Sequence, residues 1–377
     1  MRTDRILAGL LLLMTVTSCQ NDGPVSKRAK IRVRVTTDDT RGTVTTKSIL
    51  EASGAFSMVS YLEDDYKDYS TTPATEYEGG KQIDCGTGGN VHLSSGQWAI
   101  NGDPCWVADT YTHFWAWHPV SVTGRTINEP SMATPGADGP EYPYTGELTF
   151  SYETPTTDGS TDADKATDIL FAYTKKNHDS RDSTDVVNIT FHHALSQVRF
   201  CVSTNDGTFD KSLKIKSISI SGLKTAGNGS FTDSGNAEKN DKAYDPTNGS
   251  YDNFVWTNQI GSTIFGQDYN ADFSTSTVSG WAKGSYKSGS NTYNLYTCEN
   301  VFFMIPQTVT TSNMITVVFE YKGVETTKSI PIADATGVEW IGDHYYTYKI
   351  KATTVGRDID MSVSLVGWTN RKEEIFI

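Results

Sequence analysis

A period of two runs through this chain and limits what it can become. Ile359, Met361, Val363 and Leu365 alternate with Asp360, Ser362, Ser364 and Val366. Ile315, Val317, Phe319 and Tyr321 recur in the same way. So do Tyr346, Tyr348 and Ile350, with Lys349 and Lys351 outside, and Val198, Phe200 and Val202. Near the start, Ile31, Val33 and Val35 alternate with Lys30, Arg32 and Arg34. Successive side chains of an extended chain point to opposite faces, so each run predicts a strand with one buried face. One run changes phase: Leu213 and Ile215 share a parity that Ile218 and Ile220 do not. That predicts a bulge near Ser217 or a strand buried on both sides. Asn205-Asp206-Gly207 and Thr225 to Gly229 supply the residues that tight turns need. No long stretch has a helical period; Ile49 to Tyr61 and Ala163 to Ala172 are each expected to hold a short helix. The expected fold is all-β, with antiparallel meanders or Greek keys.

A chain of 377 residues exceeds one typical core, so two domains are expected. Lys175 to Asp185, rich in Asp and Ser, reads as the boundary. It separates an N-terminal β-sandwich domain over 30–185 from a C-terminal one over 186–377. Residues 237–290 are long, polar and weakly patterned, and read as a surface insertion or loops.

The first residues bear on compartment. Arg2 and Arg5 precede an uncharged run from Ile6 to Val16 that contains Leu10 to Leu13. The run is shorter than the roughly 20 apolar residues of a spanning helix, and reads as a secretory signal over 1–18. Val16-Thr17-Ser18-Cys19 resembles the bacterial lipobox, which implies cleavage before Cys19 and lipidation on it, with 19–29 as a linker. Polar, acidic Gln20-Asn21-Asp22 fits export to the outer surface. Residues 1–18 carry Arg2, Arg5 and Asp4, a net +1, so their removal takes the formal charge from −13 to −14. That balance argues against nucleic acid or anionic lipid as partners.

Motifs for chemistry are scarce. No His is followed by Glu, and the chain has no G-x-S-x-G, no Walker A loop and no G-x-G-x-x-G, so neither an enzyme nor a cofactor is expected. Beyond Cys19, Cys85, Cys105, Cys201 and Cys298 allow three disulfide pairings and contain no C-x-x-C, which argues against structural zinc. His192 and His193 are adjacent and face opposite sides of a strand, which argues against a shared metal. Asp158, Asp162, Asp164 and Asp168 lack the spacing and central Gly of a calcium loop and read as solvated. Trp115 and Trp117 share one face by period, which is how a sandwich core fills. The alternative is a stacking platform for sugars.

An ordered series of segments carries a resemblance. Asp168-Ile169-Leu170-Phe171-Ala172 precedes Phe191-His192-His193-Ala194-Leu195-Ser196-Gln197-Val198-Arg199-Phe200. Phe303-Met304-Ile305-Pro306-Gln307 follows, then Ile315 to Tyr321, Trp340 to Tyr348 and Gly367-Trp368. In the first half stands Phe114-Trp115-Ala116-Trp117-His118-Pro119. In order and spacing this resembles the fimbrillin (Mfa-like) families of surface lipoproteins. The resemblance implies two β-sandwich domains of transthyretin-like, Greek-key topology. It implies a fimbrial subunit precursor of the outer membrane surface that acts in adhesion, with other subunits as partners and a surface glycan or protein as receptor.

It also implies a route to assembly. An arginine-specific protease removes the first strand, and a neighbour's strand takes its place. Arg41, in the polar stretch Thr36 to Thr46, is the candidate cleavage point, and Ile31, Val33 and Val35 are the candidate displaced strand. Nine residues follow Trp368, fewer than a stalk subunit's polymerising tail, so a tip or minor subunit is the expectation. The alternative function is an anchored glycan-binding lipoprotein that uses exposed Trp115 and Trp117.

Overall fold

The computed structural model of the chain describes residues 30–36, 46–62, 66–68, 75–77, 81–83, 89–106, 111–120, 127–128, 147–153, 168–177, 186–232, 244–245, 250–251, 254–261, 263–299, 302–356 and 358–370. Strands dominate and build an all-β sandwich fold, as the alternation predicts. Among the described residues, no helix is long and apolar enough to cross a membrane.

The later part of the chain forms two facing sheets. One contains Trp281–Ser288, Asn291–Cys298, Ser196–Ser203, His344–Val355 and Asp358–Asn370 in that order, with Phe302–Met304 also against Ser196–Ser203. The other runs Thr263–Asp272, Leu213–Leu223, Met314–Tyr321, Val324–Pro331. The apolar parities noted above point between them: Val198, Phe200, Tyr346, Tyr348 and Ile350 pack with Ile215, Ile218, Val317 and Phe319 in one core. The expected bulge is present. Pairing of Leu213–Leu223 shifts between Ile215 and Ser217 on both of its neighbours. The shift returns Ile218 and Ile220 to the face of Leu213 and Ile215, so all four are buried in that core.

The earlier part is layered around one sheet. Its order is His192–His193, Leu170–Asn177, Tyr111–His118, Ala55–Leu62, Val91–Ser94, Gln97–Ile100, with Lys81–Ile83 also against Ala55–Leu62. Both faces of this sheet are covered. Val59, Trp115, Trp117 and Phe171 face Leu148, Phe150, Tyr152 and Phe231 of a four-stranded sheet. Met58, Phe114, Ala116 and Leu170 face Ile31, Val33, Leu50, Val187 and Ile189 on the other side. Burial on both faces explains why Ala55–Leu62 and Tyr111–His118 show little polar alternation.

Three expectations change. Residues 49–61 divide into a helix, Thr46–Ser53, and a strand, Ala55–Leu62. Within 163–172 the described part is coil followed by the strand Leu170–Asn177, because a strand buried on both faces reads as a continuous apolar run. Among the described residues, the stretch read as a polar insertion holds five strands, Tyr244–Asp245, Ser250–Tyr251, Phe254–Ile260, Thr263–Asp272 and Trp281–Ser288, and buries Tyr269, Phe273 and Trp281. The sheets are also shared across residue 185: Val186–Thr190 pairs with Arg32–Thr36, and Ala226–Thr232 pairs with Glu147–Glu153.

Candidate functional site

The first strand, Arg32–Thr36, lies parallel to Val186–Thr190 in a two-stranded sheet, with Val33 opposite Val187 and Val35 opposite Ile189. The alternation sorts its side chains as expected. Ile31 and Val33 are each 8 % exposed, Val35 is half-buried, and Arg32 and Arg34 point to solvent. Ile31 and Val33 belong to one cluster with Leu50, Phe56, Met58, Trp106 and Val187. The strand is therefore a lid of about five residues over one face of the central sheet. Its N-terminal end is gripped separately. Ile31 N donates to the Pro104 carbonyl at 2.8 Å, Lys30 forms an antiparallel bridge with Cys105, and Lys30 Nζ meets Asp103 Oδ2 at 2.8 Å. Cys19 and Arg41 lie outside the described residues.

The segment Phe191 to Phe200 passes from one part of the fold to the other and carries a buried polar cluster. Leu170 sits opposite His118 on one side and His193 on the other. Asp168, two residues back on the same parity, reaches His193: its Oδ2 is hydrogen-bonded to His193 Nδ1, and the Gln197 amide nitrogen lies 3.5 Å from the same oxygen. Asp168 is 2 % and His193 1 % exposed. Burial lowers the pKa of His118, against the opposing effects of the Ala55 carbonyl and Asp168. His192 faces away and rests on the Phe171 ring, with centroids 6.0 Å apart. Among the described residues, no group of three or more His, Cys, Asp or Glu is placed to hold a metal ion.

Neighbouring segments close the junction. Tyr152 Oη donates to the Phe303 carbonyl at 2.7 Å, and Trp256 Nε1 to the Ala194 carbonyl at 3.1 Å. Ser196 Oγ donates to the Ile341 carbonyl at 2.8 Å. Gly342 lies against this turn; a Cβ there would come within 3.2 Å of the His193 carbonyl oxygen and 3.3 Å of that of Ala194. Trp340 Nε1 donates to Tyr348 Oη at 2.9 Å, deep in the later core.

Trp115 and Trp117 are 0 % and 3 % exposed. Trp115 meets Phe231 edge-on at 5.4 Å, with Tyr173 at 4.6 Å. The four-stranded sheet covers both indoles, so the sugar-platform reading of this pair is corrected to core packing.

A third polar cluster ties a loop to the later sheet. Lys349 Nζ and Tyr286 Oη each lie 2.6 Å from Asp206 Oδ2, and Thr208 Oγ1 donates to Oδ1 at 2.6 Å. Burial would raise the Asp206 pKa, but the hydrogen bonds from Lys349, Thr208 and Tyr286 hold it well below the usual carboxylate range. Cys201 and Cys298 are buried free thiols, and burial pushes them up to about 12 and about 11. Cys105 is disulfide-bonded.

The sequence matches the family described as fimbrillin-like over residues 40–368. The chain belongs to that family. The stretch matched takes in the buried Asp168–His193 junction and the cores on either side of it. Among solved structures, this fimbrillin-like chain is similar to a fimbrial protein from Bacteroides vulgatus at 14% identity, with 90% of this chain and 99% of that one covered and a TM-score of 0.47. It is also similar to a fimbrial assembly protein from Parabacteroides distasonis at 10% identity, with 84% and 91% covered and a TM-score of 0.30. No curated protein matches.

Within the fimbrillin-like fold, sequence reasoning missed the Asp168–His193 pair and the grip on Lys30 and Ile31. The partners lie 25 residues apart in the first case and 73 in the salt bridge of the second. The one signal for the first was parity: Asp168 shares the side of Leu170 that the pairing sets against His193.

Proposed function

We propose that this chain is a fimbrial subunit precursor acting in adhesion, that it is exported as a lipoprotein through Cys19, and that it assembles by strand complementation. Arg32–Thr36 is the strand given up, after cleavage following Arg41. The observation that carries the reading is the first strand's position as a short separate lid, paired in parallel with Val186–Thr190 and burying Ile31 and Val33. Its loss would uncover Val187, Ile189 and Leu50 and leave backbone N–H and C=O groups of Val186–Thr190 open. An edge of that kind accepts an extended strand, with main-chain hydrogen bonds for affinity and side-chain pockets for specificity. Parallel register and three alternating inward positions define what fits: β-branched side chains at every second residue. A lipid on Cys19 anchors the precursor, each buried CH₂ adding about 0.8 kcal/mol. Cleavage after Arg41 releases lipid and strand together.

Arg41→Ala tests the reading in cells that produce fimbriae. The variant is expected to stay membrane-associated with its first strand intact and to be missing from sheared fimbriae. Recovery of Arg41→Ala chains in fimbriae at the normal level, with residues 30–36 still attached, would refute it.

A further inference from the structure

The first strand sorts charge as sharply as it sorts apolar groups. Ile31 and Val33 are buried, and the other parity carries Lys30, Arg32 and Arg34. Alternate residues of a strand share one face, so the three cations form a row of roughly 13 Å on the outward side of the lid. Lys30 is answered by Asp103, its Nζ 2.8 Å from Oδ2. Arg32 and Arg34 are exposed, and among the described residues neither has an acidic partner. The neighbouring strand Val186–Thr190 carries no charge, and the sequence has no Asp or Glu between Asp22 and Asp38. An unanswered positive row is out of character for this chain, which has 32 Lys and Arg against 45 Asp and Glu.

We propose that this row docks the precursor on a membrane surface through the phosphate groups of anionic lipids, so that the first strand lies against the bilayer until it is removed. The proposal rests on the lipoprotein reading above and adds a second contact to its anchor. Lys30 stands eleven positions after Cys19, so the chain keeps the row within about 40 Å of a lipid carried there. A basic patch is one of the signals that strengthen acyl anchoring. The formal charge of −13 opposes an anionic surface for the chain as a whole. In salt that opposition is local. At 0.1 M the screening length is about 10 Å, so acidic groups further off are largely hidden and the face in contact decides. Guanidinium groups suit the task, since each offers a planar fork of N–H donors to phosphate oxygens. The apolar cluster under Ile31 and Val33 fixes the row, because the strand cannot turn its cations inward without exposing both. Cleavage after Arg41 carries off lipid and cations together and leaves the released subunit with neither hold on the membrane.

Vesicle pelleting tests the row without the acyl anchor. The chain from residue 19 onward, with Cys19→Ser so that it carries no lipid, is mixed with vesicles of phosphatidylcholine alone or of phosphatidylcholine and anionic phosphatidylglycerol at about three to one. Binding to the anionic vesicles at about 0.1 M salt is expected to exceed that of the double variant Arg32→Gln, Arg34→Gln by about 25-fold, roughly five-fold for each cation removed. It is expected to vanish near 1 M salt, where the screening length falls to about 3 Å. Both arginines are exposed, so the double variant is expected to melt with the unsubstituted chain, and the salt series needs no substitution at all. Lys283→Gln, Lys287→Gln removes the same charge from another exposed strand face and is expected to leave binding unchanged. Equal binding to the two vesicle compositions would overturn the proposal. An equal loss from the Lys283 and Lys287 changes would overturn it too, since net charge and not the row would then be responsible. So would displacement by inorganic phosphate at constant ionic strength, which would make the row a site for a free anion. None of these arms requires lipidation. If they fail while Cys19 is found acylated in cells, the docking fails and the anchor stands; if they succeed while Cys19 is not acylated, the lipoprotein reading fails and the docking stands on charge alone.

Discussion

Asp168→Ala is expected to remove about 3 kcal/mol of folding stability, the upper end of the cost of leaving a buried hydrogen-bonding group without its partner. The carboxylate sits between two strands, bonded to His193 and close to the Gln197 amide, with 2 % of its surface exposed. Without it the His193 ring keeps a polar nitrogen in the interior with no solvent to replace the partner. The site is also where the chain crosses from the central sheet to the later sandwich: Ala194 N donates to the Ile169 carbonyl at 2.9 Å, and Asp343 N to the Leu195 carbonyl at 3.2 Å. Loss should therefore loosen both parts together. Urea unfolding of Asp168→Ala, His193→Phe and the double variant checks it. The two single losses should sum to more than the loss in the double variant, because removing both partners of the Asp168–His193 bond spares the polar atom that each single change strands. A single loss under about 0.5 kcal/mol, the range of ordinary surface changes, would show that the pair does not hold the junction.

Val33→Asp in the uncleaved precursor is expected to cost a similar ~3 kcal/mol, since a carboxylate would enter an apolar cluster and be driven toward its neutral form. Val33 is 8 % exposed and faces Leu50, Phe56 and Met58, whereas its neighbour Arg34 points to solvent. Arg34→Asp is therefore the matched control, with an expected change within about 0.5 kcal/mol. The contrast carries a functional signature. Once the strand has been cut away, Val33→Asp should leave the remaining protein as stable as the unsubstituted one. Equal losses for the two variants in thermal unfolding of the precursor would mean that the strand does not bury alternate residues.

How much of this was legible depended on whether one face of a strand meets water. The runs through Ile315 and Ile359 each have a face that water reaches, and their parity alone gave the correct buried side; in the run through Tyr346 the other parity is covered as well, and Lys349, expected outside, is buried against Asp206. The phase change at Leu213–Leu223 was legible for the same reason, down to the bulge between Ile215 and Ser217. Parity fails when both faces are covered, which is why Ala163 to Ala172, whose end opens the strand Leu170–Asn177, reads as a short helix. It fails again where small residues serve packing. Gly266 lies so close to its neighbour that a Cβ would stand 2.7 Å from Ser219 Cβ, so a residue that reads as a loop former belongs to a strand. The shared sheets hid the layer order: the cover over Trp115 comes partly from Ala226–Thr232, far along the chain. At the candidate site, the inward and outward residues of the first strand were readable. Its parallel partner and the grip from 103–105 were not, since nothing local encodes a contact across 73 residues.

Assembly by strand complementation requires that the first strand leave. Mass spectrometry of the N-terminus of protein taken from the surface of intact cells tests that most directly. A chain beginning at Gly42, without Cys19 and without residues 30–36, is the predicted result. A chain beginning at acylated Cys19 in assembled fimbriae would contradict it.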